Sequence, residues 1–168
     1  MPETERYDLV VLGAGPAGEK GAALAAYFGR RVALVERRPE PGGTSVHTGT
    51  LPSKTLRETA LYLTGFRRRE VYGMSLRLDR KRSLRQLLGR LADVTSRQTR
   101  QIGRNLERHR IETVTGHGRF LDAGTLAVLG SDGREGRRLS APAFLVATGS
   151  SPLPPRGLTF EDPDVEDS

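Results

Sequence analysis

The chain has 168 residues, 36% of them hydrophobic and 28% charged, with no cysteine and a formal net charge of +7. That composition suits a globular domain with a real core, while the missing cysteine excludes disulfides, thiolate catalysis and cysteine metal sites. No apolar run approaches the length of a membrane span, and the scattered His47, His109 and His117 fit no metal-ligand spacing, so no metal is expected.

The first six residues, Met1-Pro2-Glu3-Thr4-Glu5-Arg6, are polar and acidic. They read as neither a signal nor a transit peptide, which predicts a cytoplasmic protein. Tyr7 to Leu12 is a short apolar run of the kind found in a buried parallel strand. Gly13-Ala14-Gly15-Pro16-Ala17-Gly18 follows at once. Pro16 to Phe28 reads as an alanine-rich helix stopped by Gly29, and Arg31 to Glu36 as a second strand. Strand, glycine turn, helix and strand make a right-handed βαβ unit. Residues 37–50 read as loop. A helix is expected from about Leu51-Pro52 to Arg68, since proline suits a first helical turn. Residues 69–82 look irregular and highly charged.

Ser83 to Arg110 carries the strongest helical pattern. Leu84, Leu87, Leu88, Leu91, Val94, Ile102 and Leu106 recur at three- and four-residue spacing, with arginine on the other faces. Ser83 with Gln86 resembles a capping box. Residues 67–110 hold fourteen Arg or Lys against four Asp or Glu. Such a patch invites a nucleic-acid reading. Solvated helix faces in an arginine-rich chain account for it better, so no nucleic-acid partner is expected.

Ile111 to Thr115 reads as a strand. Arg119 to Leu121, Thr125 to Leu129 and Arg137 to Ser140 form an antiparallel meander, with turns at Asp122-Ala123-Gly124 and Ser131-Asp132-Gly133. Ala143 to Ala147 is a further apolar strand, closed by Thr148-Gly149-Ser150. The tail, Glu161 to Ser168, has five acids in eight residues and looks like linker. The fold class expected is therefore α/β: a Rossmann-like parallel sheet with helices, plus a small antiparallel meander.

The glycine turn has the context that gives such a fingerprint weight: a strand before, a helix after, a second strand, and an acid at its end. Gly13 permits the tight turn. Gly15 lets a diphosphate approach the backbone, and Gly18 lets helix and strand pack closely. Amides at the helix N-terminus favour an anion. Glu36 can accept hydrogen bonds from an adenosine ribose. The fingerprint alone does not separate FAD from NAD.

Gly42-Gly43-Thr44-Ser45-Val46-His47-Thr48-Gly49-Thr50-Leu51-Pro52-Ser53-Lys54 makes that choice. Together with Gln98-Thr99-Arg100, Gly116 to Asp122, Thr125-Leu126-Ala127 and Phe144 to Ser150, it resembles the N-terminal part of the pyridine nucleotide–disulfide oxidoreductases. The group includes dihydrolipoamide dehydrogenase and glutathione reductase, and the chain is most similar to its soluble transhydrogenase branch. The resemblance covers nearly the whole chain. It departs at the redox loop, where Ser45 and Thr50 stand at the two cysteine positions.

The resemblance implies an FAD site. Gly13, Gly15, Pro16, Ala17 and Gly18 would hold the diphosphate, and Glu36 with Arg37 the ribose end. Gly43, Thr44 and Ser45 would line the ring and its linker, and Lys54 would place a cation near the flavin. The backbone of His117 and Gly118 would contact adenine, and Ala147-Thr148-Gly149 would pass near the cofactor. His47 replaces an asparagine typical of the disulfide reductases; satisfying backbone polar groups explains it better than catalysis. The activity implied is hydride transfer from NADPH to NAD through flavin, without a disulfide. Alternatives are a related flavin reductase with a non-disulfide acceptor, or a non-catalytic FAD-binding remnant. Residues 1–155 would form the FAD-binding domain and 156–168 an acidic linker. The NAD(P)-binding and dimerisation domains of the family have no counterpart in the 168 residues. The implied outcome is weak FAD binding and no turnover by this piece alone, with a homo-oligomer in the full-length form and no membrane partner.

Overall fold

A computed structural model describes residues 3–67, 79–151 and 153. The chain divides into two compact units: one reaches Thr44 and resumes over Thr99–Ser151, the other holds Ser45–Gln98. Most of the stretch expected to be irregular, and the acidic linker, lie outside the described residues.

The first unit contains both sheets. Strand β1 is Thr4–Arg6 and β2 is Leu9–Leu12. Helix α1, Pro16–Tyr27, leads to β3, Val32–Glu36. Strand β4 is Glu112–Thr115, β5 His117–Asp122, β6 Thr125–Leu129, β7 Glu135–Ser140 and β8 Phe144–Val146. One sheet has the order β4-β3-β2-β8 and is parallel throughout. Leu9 pairs with Val32 and Val10 with Phe144. All five residues of β3 are buried, as expected where both faces of a parallel sheet are covered.

Alternation along the strands sorts the two faces. Val10, Leu12, Ala33, Val35 and Val114 join Leu126, Val128 and Leu139 in one apolar cluster. The second sheet, β1-β7-β6-β5, thus packs on that face of the first. On the other face Val11 meets α1. A Cβ on Gly18 would lie 3.3 Å from Val11 Cγ1 and would overlap the Gly13 carbonyl oxygen, so this crossing has room for glycine alone. The expected meander is present as β5, β6 and β7.

Thr4–Arg6 was not foreseen as a strand. It is polar and three residues long, and its parallel partner is β7, with Glu5 opposite Leu139. The strand expected to start at Tyr7 starts at Leu9. Tyr7 N–H donates to Ser140 O at 2.9 Å, and Asp8 is turned toward Arg31, whose N–H donates to its carboxylate at 2.7 Å.

Tyr7 also ties the two sheets together. Its hydroxyl lies 2.6 Å from Glu112 Oε2 on β4 and 3.1 Å from Glu5 Oε2 on β1. Arg137 on β7 donates to both carboxylates, at 2.5 Å each, and holds Glu5 with a second bond at 2.7 Å. Burial and then the Glu112 hydrogen bond push the Tyr7 hydroxyl up. Glu5 is held below the ordinary carboxylate value chiefly by Arg137, and Glu112 chiefly by Tyr7 and then Arg137.

One further helix and parts of two others lie in the described second unit. Helix α2 is Gly43–His47, α3 Thr50–Arg67 and α4 Arg80–Arg108. Helix α2 overturns the expectation of loop over 37–50. Gly42 and Gly43, with φ of 128° and 57°, make a sharp entry, after which the backbone makes a single short helix. Helix α4 starts at Arg80, not at Ser83. The carboxylate of Asp79 accepts the Arg82 N–H at 3.1 Å, so Asp79 is the N-cap and Ser83 lies inside the helix. The last turns of α4 belong to the first unit, where Ile102 and Leu106 are buried and Asn105 donates to Glu19 of α1 at 2.6 Å.

Candidate functional site

In an open parallel sheet, ligand sites form outside the carboxyl ends of the strands. Here the ends of β2, β3, β4 and β8 converge. Gly13 follows β2 with φ of 102°, a conformation in which a side chain is strained. Its N–H donates to Val35 O at 2.7 Å, and a Cβ there would collide with the Ala147 carbonyl after β8. Glycine at 13 thus allows three strand ends to meet.

Glu36 closes the same corner. It is buried, at 8% exposure. One oxygen accepts the Ala14 N–H at 2.7 Å and the other the Arg38 N–H at 2.9 Å. The carboxylate therefore braces the glycine turn against the end of β3. Ala14 O in turn accepts the Gly42 N–H at 2.9 Å, which brings Gly43 against Gly15. A Cβ on Gly43 would lie 2.9 Å from Gly15 Cα. Beyond β4, Gly116 N–H donates to Glu36 O at 2.9 Å, and carries the chain on to His117.

These segments enclose a groove of about 340 Å³. Gly13, Gly15, Glu36 and Arg37 line it, with Gly43 and Thr44, His117 and Gly118, and Ala147, Thr148 and Gly149. The sequence-predicted residues of the first unit are thus gathered at one place, apart from three. Pro16 and Ala17 form the exposed first turn of α1, and Gly18 is buried at the helix–strand crossing. Ser45 and His47 lie on α2, and Thr50 and Lys54 on the first two turns of α3, with Lys54 exposed. All four belong to the second unit. The sequence reading missed Leu12, Val35, Arg38, Gly116 and Ser150 as lining residues. All five had a signal, since each adjoins a residue that was named.

The first N–H groups of a helix have no partner within it. At α1 no side chain caps them; Gly15 is the N-cap and Pro16 follows. The partial positive charge there suits a phosphate. A glycine-only approach, an open helix start and a fixed carboxylate at the end of β3 fit the diphosphate and ribose of an adenine dinucleotide. Among the described residues, no group of three His, Asp or Glu could hold a metal ion, and no helix is long and apolar enough to cross a membrane.

Fold and groove together define a Rossmann-like domain with an attached, mainly antiparallel sheet. Residues 7–165 match the family described as pyridine nucleotide-disulphide oxidoreductase. The chain is 42% identical over 162 residues to the soluble pyridine nucleotide transhydrogenase of Mycobacterium tuberculosis (strain ATCC 25177 / H37Ra), covering 96% of this chain and 35% of that protein. It is 37% identical over 168 residues to the enzyme of the same name from Escherichia coli O9:H4 (strain HS), covering 100% of this chain and 36% of that one. Among solved structures it is similar to a Cu(II) complex of the HOCl-induced flavoprotein disulfide reductase RclA from Escherichia coli. There the TM-score is 0.70 and the identity 24%, with 90% of this chain and 30% of that chain covered. The chain belongs to the pyridine nucleotide-disulphide oxidoreductase family. It spans about a third of the length of the curated relatives it matches.

Proposed function

We propose that these residues form the adenosine-binding part of an FAD site in an oxidoreductase of the transhydrogenase group. In the whole enzyme, hydride would pass from NADPH through flavin to NAD. Bound flavin supplies that chemistry, accepting a hydride from one nicotinamide and giving it to another. The chain's own residues bind and orient. Gly13 and Gly15 admit the diphosphate to the backbone, and the start of α1 stabilises its charge. Glu36 takes the ribose hydroxyls, and the backbone of His117 and Gly118 meets adenine. Ala147 to Gly149 close the opposite side. In this reading Gly43, Thr44 and Ser45 follow the linker toward the ring, and Lys54 offers a cation to the reduced ring.

The observation that carries the reading is the groove, where the glycine turn, the uncapped helix start and Glu36 meet. With Ser45 and Thr50 at the cysteine positions, the loop holds no thiol to relay electrons, which is compatible with direct exchange between nicotinamides. The same loop also fits a reductase with a small non-disulfide acceptor; profiling acceptors on the full-length enzyme separates the two. Nicotinamide binding and homo-oligomer contacts are assigned to regions of the relatives that this chain does not span. Weak FAD binding without turnover by the 168 residues follows from that assignment, and a cytoplasmic setting goes with it.

The test is titration with FAD, followed by flavin absorbance and fluorescence, and then anaerobic addition of NADPH. The expected result is a perturbed flavin spectrum that NADPH does not bleach. Absence of any spectral change overturns the site, and rapid bleaching overturns the division of labour.

A further inference from the structure

Among the described residues, four strands form the sheet edges: β1 and β5 in one sheet, β4 and β8 in the other. An open edge invites further pairing, and natural sheets guard against it with charged side chains and bulges. Three of these edges have such guards. Strand β1 carries Glu5 and Arg6, and β4 carries Glu112. Strand β5 carries Arg119 and Asp122, with a register shift between Phe120 and Asp122. Strand β8, Phe144-Leu145-Val146, is short but has neither a charge nor a bulge.

Its register shows which backbone groups are free. Val10 N–H donates to Ala143 O at 3.1 Å, and Ala147 N–H to Leu12 O at 2.9 Å. Val11 lies opposite Leu145. The bonds to β2 thus fall on Ala143, Leu145 and Ala147, and the N–H and C=O groups of Phe144 and Val146 point away from β2.

Apolar surface continues round that edge. On one face Phe144 and Val146 point the same way, and the Phe120 ring stands edge-on to Phe144 at 5.0 Å. On the other face a Cβ on Gly21 of α1 would run into the Leu145 side chain. Leu24 and Phe28 follow on the same flank of the helix. Phe28 is 69% exposed, Val146 62%, Leu24 60% and Phe120 46%. With about 150–250 Å² to an aromatic side chain, the exposed parts come to roughly 400–500 Å². That matches the apolar share of the 800 Å² or so that each partner of a standard interface buries.

We propose that two copies of this chain join through β8. A two-fold axis beside Leu145 sets β8 antiparallel to its mate, with Phe144 opposite Val146 of the partner subunit. Residues so paired exchange both N–H···O=C bonds, so the edge satisfies its own free groups and the two parallel sheets become one. Phe120 and Val146 close one face of the seam, and Leu24 and Phe28 the other. The contact is isologous and closes on itself. It is separate from the oligomer contacts assigned above to regions outside this chain.

The experiment is light scattering after size exclusion, over a dilution series of the full chain, with hydrogen exchange read at single amides. The expected species is a dimer that dissociates on dilution. The Val146 amide should be protected in the dimer and lose that protection on dilution, while the Ala147 amide, bonded to Leu12, keeps its own. Val146→Lys places a charge in the apolar seam, and Val146→Pro removes a donor that β2 does not use. Each should weaken dimerisation by about tenfold or more. Thr113→Lys, on the guarded edge β4, should leave the dimer unchanged. Val146→Lys alters only an exposed side chain, so it decides the matter even if Val146→Pro does not fold. A chain that stays monomeric at every concentration overturns the proposal and leaves the edge to a partner other than a second copy. Larger open-ended species, a dimer with an unprotected Val146 amide, or a Val146→Lys protein that dimerises as well as the unaltered chain overturns it too.

Discussion

The Glu36 carboxylate accepts the Ala14 N–H at 2.7 Å across the mouth of the glycine turn. The acid is therefore part of the turn's own structure as well as a group offered to a ligand. Replacing it with alanine leaves the Ala14 and Arg38 N–H groups without their partner, at a cost of about 1–3 kcal/mol. Glu36→Ala is expected to lower the melting temperature and to abolish the FAD-induced spectral change. Glu36→Gln, which keeps one acceptor, should recover part of the stability. Thermal melts followed by circular dichroism, beside the FAD titration, check both.

Glycines in this chain divide into those that are needed and those that are not. At Gly18 a Cβ would overlap the Gly13 carbonyl and press on Val11. Gly18→Ala should therefore force α1 off the sheet and destabilise by about 1–3 kcal/mol or more. Gly89 and Gly103 lie inside α4, and a Cβ at either meets nothing within 4 Å. Alanine there should stabilise by about 0.5–1 kcal/mol each, through helix propensity and a less flexible unfolded chain. Urea unfolding of the three single variants gives the comparison; a neutral Gly18→Ala would contradict the packing described.

The parts of this fold that could be read from sequence are those where local pattern and tertiary role agree. Strands β2, β3, β6 and β8 are apolar runs bounded by turn residues, and α1 is an alanine-rich segment between two glycines. What escaped reading depends on partners far along the chain. Thr4–Arg6 becomes a strand only because β7 lies beside it some 130 residues later in sequence, with Thr4 opposite Arg138. Helix α4 begins early because Asp79 caps it, and the Ser83–Gln86 spacing was a decoy. Glu36 was read correctly as the acid ending β3, yet its two backbone bonds could not be seen without the turn. The groove's first-unit residues were legible because they follow strand ends. Leu12 and Val35 adjoin Gly13 and Glu36, yet the polar chemistry of the motif gave no reason to expect them as apolar walls of the lining.

Glu19 is a carboxylate at 6% exposure on the first turn of α1. It accepts from Asn105 at 2.6 Å and from Lys20 at 3.2 Å. Lys20 is largely exposed, so Asn105 is the partner that solvent does not easily replace. Asn105→Leu should destabilise by about 1–3 kcal/mol because it strands a buried acceptor. In a Glu19→Leu/Asn105→Leu double variant the two losses should fall short of additive, as expected for residues in direct contact. Additive losses in denaturant unfolding would show that the bond does not hold α1 to the end of α4.

The Tyr7–Glu5–Glu112–Arg137 cluster should make stability fall in acid. Arg137 holds the Glu5 carboxyl below its ordinary value of 4.5, and Tyr7 with Arg137 does the same for Glu112. A carboxyl depressed on folding adds stability that is whole above its unfolded pKa and is lost as pH drops through the folded value. Both carboxylates therefore contribute fully above pH 4.5 and progressively less below it. The side chains of Arg137 and Glu5 are each 33% exposed and that of Glu112 is 42% exposed, so water screens the cluster and its contribution stays near the 1 kcal/mol or so typical of partly solvated pairs. Arg137→Met keeps the aliphatic stem and removes the charge. Its melting temperature should lie below that of the unaltered chain at neutral pH and converge with it as pH falls below 4.5. Parallel curves across that range would mean that the arginine acts through packing alone and that the two sheets are joined by their apolar cluster.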